Sequence, residues 1–178
     1  TDAALLSIVG FPAYAVDDPA LAERTRAGVL GKLRGRYGCK RFLRDGHQTV
    51  LEDHARLHYE PGELQQFEHI ESEWPLFFTY LLIDAALRGD ADEAAQWRDR
   101  LEGLMQERDG QRLLPELYLV PAEAIADERA APHSQARVPN ANVPLVWAQS
   151  LYLVGVLLQA GMVGPEDVDP LARRLGDE

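Results

Sequence analysis

One cysteine in 178 residues, Cys39, excludes an internal disulfide and a cysteine-built metal cluster, and the thiol reads as a bystander. That scarcity fits a reducing compartment, and the expected location is the cytoplasm. Positive charge is also short: 18 Lys and Arg face 29 Asp and Glu, for a formal charge of -11. Such a chain repels polyanions and anionic membrane surfaces, so neither nucleic acid nor membrane is expected as a partner. No apolar run reaches the roughly 20 residues that span a bilayer, and the start, Thr1-Asp2-Ala3, lacks the basic flank of a signal peptide. A chain opening on Thr1 instead of Met is expected to be a piece of a longer protein. Missing as well are G-x-S-x-G, G-x-x-x-x-G-K-[ST] and G-x-G-x-x-G, which removes support for acyl hydrolase, P-loop and dinucleotide readings. The histidines His47, His54, His58, His69 and His133 form no H-E-x-x-H, and Gly and Pro near His54 and His58 argue against the helix that would align that pair on zinc. No repeat of fixed length occurs, which disfavours a solenoid.

What is present is a hydrophobic content of 46%, enough for the core of one domain, arranged as helices separated by long proline-bearing loops. Asp18-Pro19 is an N-cap followed by a first-turn proline, and Leu21, Val29, Leu30 and Leu33 fall on one face of a helix expected over 18–33. Residues 35–63 hold scattered glycines and charges without a sustained period and read as a long ordered loop, with room for short strand pairs. Trp74 to Leu87 is apolar almost throughout, which predicts a helix buried on most sides, ended by Gly89. Asp90 caps a partner helix with the inner stripe Ala94, Trp97, Leu101, Leu104 and Met105. The short Arg88 to Ala91 link makes the two an antiparallel hairpin. Pro144 to Ala160 predicts a second strongly apolar helix, and Asp167 to Leu175 a short terminal one broken by Pro170. Two apolar helices that each follow a long loop predict an inner ring whose mouths those loops line.

Three places could carry chemistry. Glu116 lies among apolar residues in Leu113-Leu114-Pro115-Glu116-Leu117-Tyr118, where partial desolvation would retune an acid for proton transfer; the bland account is a loop acid that caps the next segment or pairs with Arg112. Glu68, Glu71 and Glu73 cluster beside Phe67, His69 and Trp74 at the entry to the buried helix. Acids are expected there to complement the helix dipole, but surplus carboxylates beside an aromatic ring also suit a sugar site. Arg36 and Tyr37, between Gly35 and Gly38, pair a fork-shaped donor with a ring where glycines let backbone approach a ligand. The same basic cluster, Arg34, Arg36, Lys40, Arg41 and Arg44, has a phosphate or nucleic-acid patch as its competing use and a solvated loop as its plain one.

Leu5-Leu6-Ser7-Ile8-Val9, Phe11-Pro12-Ala13-Tyr14-Ala15-Val16 and Gly35-Arg36-Tyr37-Gly38-Cys39-Lys40-Arg41-Phe42-Leu43 resemble the phosphorylase kinase alpha and beta regulatory subunits. The likeness continues through Tyr59-Glu60-Pro61, Phe67-Glu68-His69-Ile70-Glu71-Ser72-Glu73-Trp74-Pro75-Leu76-Phe77, Leu113 to Tyr118 and Trp147-Ala148-Gln149-Ser150-Leu151-Tyr152. The N-terminal domain of those subunits is in turn similar to glycoside hydrolase family 15, the glucoamylases. The resemblance implies an all-α fold: residues 1–178 as one partial domain, the C-terminal portion of an (α/α)6 toroid, a six-hairpin barrel whose loops form a pocket at one end. It implies an inverting exo-α-glucosidase chemistry without cofactor or metal, with Glu116 as general base. Arg36, Tyr37, Glu71, Glu73, Trp74 and Tyr118 are implied to bind the sugar. The implied partners are an α-glucan or maltooligosaccharide, and the N-terminal remainder of the barrel or a second copy. The family's general acid sits in a Trp-Glu-Arg-Gly-like motif that this sequence does not contain, so the segment alone is expected to be inactive. Two other functions stay open: a non-catalytic glucan-sensing regulatory domain, and a helical protein-interaction module.

Overall fold

The structure, a computed structural model, describes residues 1–169. Its first helix, α1 (Leu5–Val9), is short, and α2 (Pro19–Leu33) starts where the proline predicts. Asp18 caps α2 by accepting from the backbone N–H groups of Ala20 at 2.9 Å and Leu21 at 3.1 Å. Only the C-terminal half of α2 docks. Val29 and Leu33 are buried, whereas Leu21, expected on the same face, is 43% exposed.

The centre of the molecule is α3 (Leu76–Leu87), of whose 12 residues all but Asp84 and Ala86 are buried. Gly89 ends it in the left-handed region at φ +73. Asp90 then accepts from Glu93 N at 2.9 Å and opens α4 (Ala91–Leu104), whose Ala94, Trp97, Leu101 and Leu104 face inward as the spacing predicts. The Phe78 and Trp97 rings meet at 5.0 Å between centroids and close the hairpin. A ribbon of β1 (Gln106–Arg108) and β2 (Gln111–Leu113) follows, turning through Asp109 and Gly110, both at positive φ. Asp-Gly is the pair that such a two-residue turn favours. β3 (Tyr118–Leu119) pairs antiparallel with β4 (Val138–Pro139) across an excursion that contains α5 (Ile125–Ala130).

The last long helix, α6 (Val146–Gln159), packs mainly on α3. It is buried less than its composition predicts: Ala148, Tyr152 and Gly155 are covered, while Val146, Trp147 and Leu153 are 69%, 57% and 50% exposed. A helix apolar on all sides needs neighbours on all sides, and among the described residues α6 has them on one flank. The terminal helix α7 spans Pro165–Val168, and residues 170–175 of the expected terminal helix lie outside the described residues. The expected strand pairs of 35–63 are single backbone bridges, Arg34 with Cys39 and Cys39 with Trp74, plus one 3-10 turn at Glu63–Phe67. Among the described residues no helix is long and apolar enough to cross a membrane.

Two outcomes test this packing. A Cβ at Gly155 would lie 2.6 Å from Leu82 Cγ and Cδ2, inside the fully buried α3 face. Gly155→Val should therefore cost about 1–3 kcal/mol in urea unfolding, because overpacking exceeds the few tenths gained in helix propensity. Burial, followed by the negative charge of Glu73, pushes the Cys39 thiol up from its ordinary value. It stays protonated at pH 8, so iodoacetamide should label it only at the rate of unfolding.

Candidate functional site

The segment entering α3 runs beside two others. Trp74 N donates to Cys39 O at 2.8 Å and Cys39 N to Trp74 O at 3.2 Å on one side. Glu73 N donates to Tyr118 O at 2.9 Å and Tyr118 N to Glu73 O at 2.8 Å on the other. Three stretches far apart in sequence, around residues 37, 73 and 117, thereby lie edge to edge.

Glu71 and Glu73 project into the interior, each 1% exposed. Glu71 takes Lys40 Nζ at 2.7 Å and the backbone N–H of Arg44 at 2.8 Å. Glu73 takes the backbone N–H of Tyr37 at 2.8 Å and sits 3.3 Å from Arg137 Nε. Arg137 is buried too: its guanidinium donates to the carbonyls of Glu71 and of His69 and lies 3.5 Å from Glu128, which is 0% exposed. Both acids are thus held inside the molecule by cations, away from an open rim. The glycines Gly35 and Gly38 make that arrangement possible. A Cβ on Gly35 would stand 2.0 Å from the Glu73 carboxylate, and one on Gly38 2.3 Å from the Trp74 carbonyl. Three of the five basic residues are paired as well, Lys40 with Glu71, Arg41 with Asp45 and Arg44 with Glu68, while Arg34 and Arg36 are exposed, so most of the charge a phosphate patch needs is engaged.

Tyr37 stacks on Tyr118, centroids 4.9 Å apart at 27°, and the Arg36 guanidinium lies 5.4 Å above the Tyr37 ring while the residue itself is exposed. Tyr118 is 4% exposed, its hydroxyl donating to Leu104 O and accepting from Gln106 Nε2 at 2.9 Å. Burial pushes that phenol up from its ordinary value, so it stays neutral. Trp74 is 8% exposed, with the His47 ring stacked at 5.9 Å and the Arg41 guanidinium at 5.4 Å, and among the described residues its Nε1 has no hydrogen-bond partner.

Glu116 is half-buried and forms no pair with Arg112, whose guanidinium donates instead to the carbonyl of Glu102. Its Oε2 accepts from Gln48 Nε2 at 3.0 Å and from Asn140 Nδ2 at 2.6 Å. Gln48 also lines a hollow of about 460 Å³ with His47, Thr49, Val50, Glu52, His54 and Leu119, within the roughly 300–1,000 Å³ of small-ligand sites. A carboxylate, two amides, stacked tyrosines and an exposed arginine on adjoining segments can bind polyhydroxylated molecules: acids and amides take the hydroxyls, and rings take the C–H faces. Gln48, Asn140 and Arg137 escape sequence reasoning because nothing local marks them. Gln48 and Asn140 lie 68 and 24 residues from Glu116, and only the backbone of Gln48, at φ +54, is unusual. Among the described residues no group of three or more His, Cys, Asp and Glu is placed to hold a metal ion.

The family model of glycosyl hydrolases family 15 matches residues 4–178. The chain belongs to glycosyl hydrolase family 15. It is 49% identical over 174 residues to the phosphorylase b kinase regulatory subunit alpha, skeletal muscle isoform, of Oryctolagus cuniculus, which covers 97% of this chain and 14% of that protein. A probable phosphorylase b kinase regulatory subunit alpha of Caenorhabditis elegans is 50% identical over 176 residues, 98% of this chain and 14% of the relative. The chain therefore spans about 14% of the length of these curated relatives. Among solved structures, one titled "Glycosidase Wild Type" superposes with a TM-score of 0.56 at 21% identity, over 92% of this chain and 37% of that one. The helices and ribbons described above are a portion of the (α/α)6 toroid of this family.

The Arg137 hub generates a stability test. Arg137→Met should destabilise by about 3–5 kcal/mol in urea unfolding, because Glu73 and Glu128 would stay buried without their cation. Adding Glu73→Gln should recover part of the loss.

Proposed function

We propose that residues 1–178 form a single partial domain, the C-terminal part of a family 15 barrel, and contribute one wall of a pocket for the non-reducing end of an α-glucan. The observation that carries this reading is Glu116. Its carboxylate is half-buried, oriented by two amides and free of any lysine or arginine ion pair among the described residues, and one of those amides, Gln48, lines a hollow of ligand size that Glu116 itself does not line. An inverting glycosidase needs a carboxylate so placed on one face of the sugar to draw a proton from water, and an acid on the opposite face to protonate the leaving oxygen. Glu116 is the candidate base, and the acid is supplied from outside this segment. Arg36 and Tyr37 are the candidate sugar-holding pair. Glu71, Glu73, Trp74 and Tyr118 act behind them by fixing the segments that present the pocket. The remainder of the barrel, or a second copy, covers the exposed side of α6 around Trp147. A cytoplasmic location belongs to the same proposal.

A second reading keeps the pocket and drops the hydrolysis. The relatives at about half identity are named regulatory subunits, whereas the glycosidase stands at 21%. A glucan-sensing domain of the glycogen pathway is the form that fits those names. In the intact protein, calorimetry with acarbose should show heat that disappears in Arg36→Ala. Glu116→Gln should retain binding and lower maltooligosaccharide hydrolysis by about 10² to 10⁴-fold. Unchanged turnover would remove Glu116 from the chemistry. Binding with no turnover in the unaltered protein selects sensing, and absence of binding leaves a protein-interaction module.

A further inference from the structure

The two amides on Glu116 converge on one oxygen. Gln48 Nε2 and Asn140 Nδ2 both donate to Oε2, at 3.0 and 2.6 Å, and Asn140 Nδ2 also donates to Gln48 Oε1 at 2.9 Å, closing a triangle. Among the described residues Oε1 takes no hydrogen bond from the protein. Every member of the triangle is anchored through its backbone. Gln48 N donates to Glu52 Oε2 at 2.6 Å and its carbonyl accepts from Ser72 Oγ at 3.3 Å. Asn140 N donates to Leu117 O at 3.0 Å, and Glu116 N to Asn142 O at 3.0 Å. Gln48 holds its place at φ +54, a conformation costly for a side chain of this kind and kept where the surroundings over-determine it. Among the described residues Asn140 Oδ1 is buried without a hydrogen-bond partner.

The charge of the clamp matters as much as its geometry. Four cations on neighbouring segments are engaged elsewhere, Lys40 with Glu71, Arg41 with Asp45, Arg44 with Glu68 and Arg137 with Glu73. Arg36 is exposed over the Tyr37 ring, and the His47 ring lies 3.4 Å from Gln48 Nε2, so among the described residues no lysine or arginine pairs with Glu116. An arginine on Oε2 would orient the carboxylate equally well but would oppose its taking a proton and offset its pull on a cationic sugar ring. Neutral amides orient without that offset.

Resting on the reading of Glu116 above, we propose that Gln48 and Asn140 are positioning residues, a neutral two-amide clamp that turns Glu116 Oε1 toward the glucosyl centre where positive charge develops. A mere loop tie would hold the chain and be indifferent to the charge of the ligand; the clamp is not.

The test uses the intact protein and two ligands: 1-deoxynojirimycin, a protonated ring bearing glucose-like hydroxyls, and neutral maltotriose. In Gln48→Met and Asn140→Leu, calorimetry should show deoxynojirimycin affinity falling about tenfold or more while maltotriose changes less than about twofold. In a Glu116→Gln background the same substitutions should lose that selectivity, since the oriented charge is already gone. If either variant lacks a cooperative thermal transition, Gln48→Ala and Asn140→Ala replace it. Equal weakening of both ligands, or unaltered deoxynojirimycin binding in variants of a protein that binds both, overturns the clamp alone. An unaltered protein that binds neither ligand overturns the sugar-site reading and the clamp with it.

Discussion

Glu71 and Glu73 stand two residues apart on the segment that enters α3, and each carries a carboxylate at 1% exposure. Burying one such charge costs several kcal/mol unless a partner and further hydrogen bonds replace water. Lys40 and the Arg44 amide do this for Glu71; Arg137 and the Tyr37 amide do it for Glu73. The partners come from the loop after α2 and from the residue before β4, so satisfying two charges ties two distant stretches to the mouth of the central helix. Removing any one partner leaves a charge in the core, which makes the arrangement all or nothing.

That constraint sets the site. With Glu73 held, its backbone pairs with Tyr118 and that of Trp74 with Cys39, and Tyr37 is brought down to stack on Tyr118. Gly35 and Gly38 are required because the chain passes within contact distance of Glu73 and the Trp74 carbonyl. Glu116 lies two residues before Tyr118, on the segment that Tyr37 stacks against. The buried acids act by placing other residues.

The apolar helices divide differently. α3 is enclosed on nearly every side by α1, α4, α6 and the entry loops, whereas α6 shows Val146, Trp147 and Leu153 to solvent. An exposed apolar face of this kind is the feature on which the proposal of a further covering hairpin rests.

The helices were legible in the sequence for a local reason: caps, prolines and apolar spacing act within a few residues, so Asp18-Pro19, Asp90 and Gly89 mark their boundaries wherever they occur. The quoted motifs likewise sufficed to point to family 15, because a motif is a local string. Glu116 stood out by its apolar neighbours. The inward direction of Glu71 and Glu73 did not show, since acids before a helix read equally well as dipole partners on a surface. Whether a carboxylate faces solvent, an arginine or an amide depends on residues tens of positions away: Arg137 for Glu73, Gln48 and Asn140 for Glu116. The sequence by itself determined the long helices and which family the chain belongs to, but not the short α1 and α5. Tertiary structure alone decided which acids are held as buried charges by cations and which is held by neutral amides, because charge compensation is a property of neighbours in space.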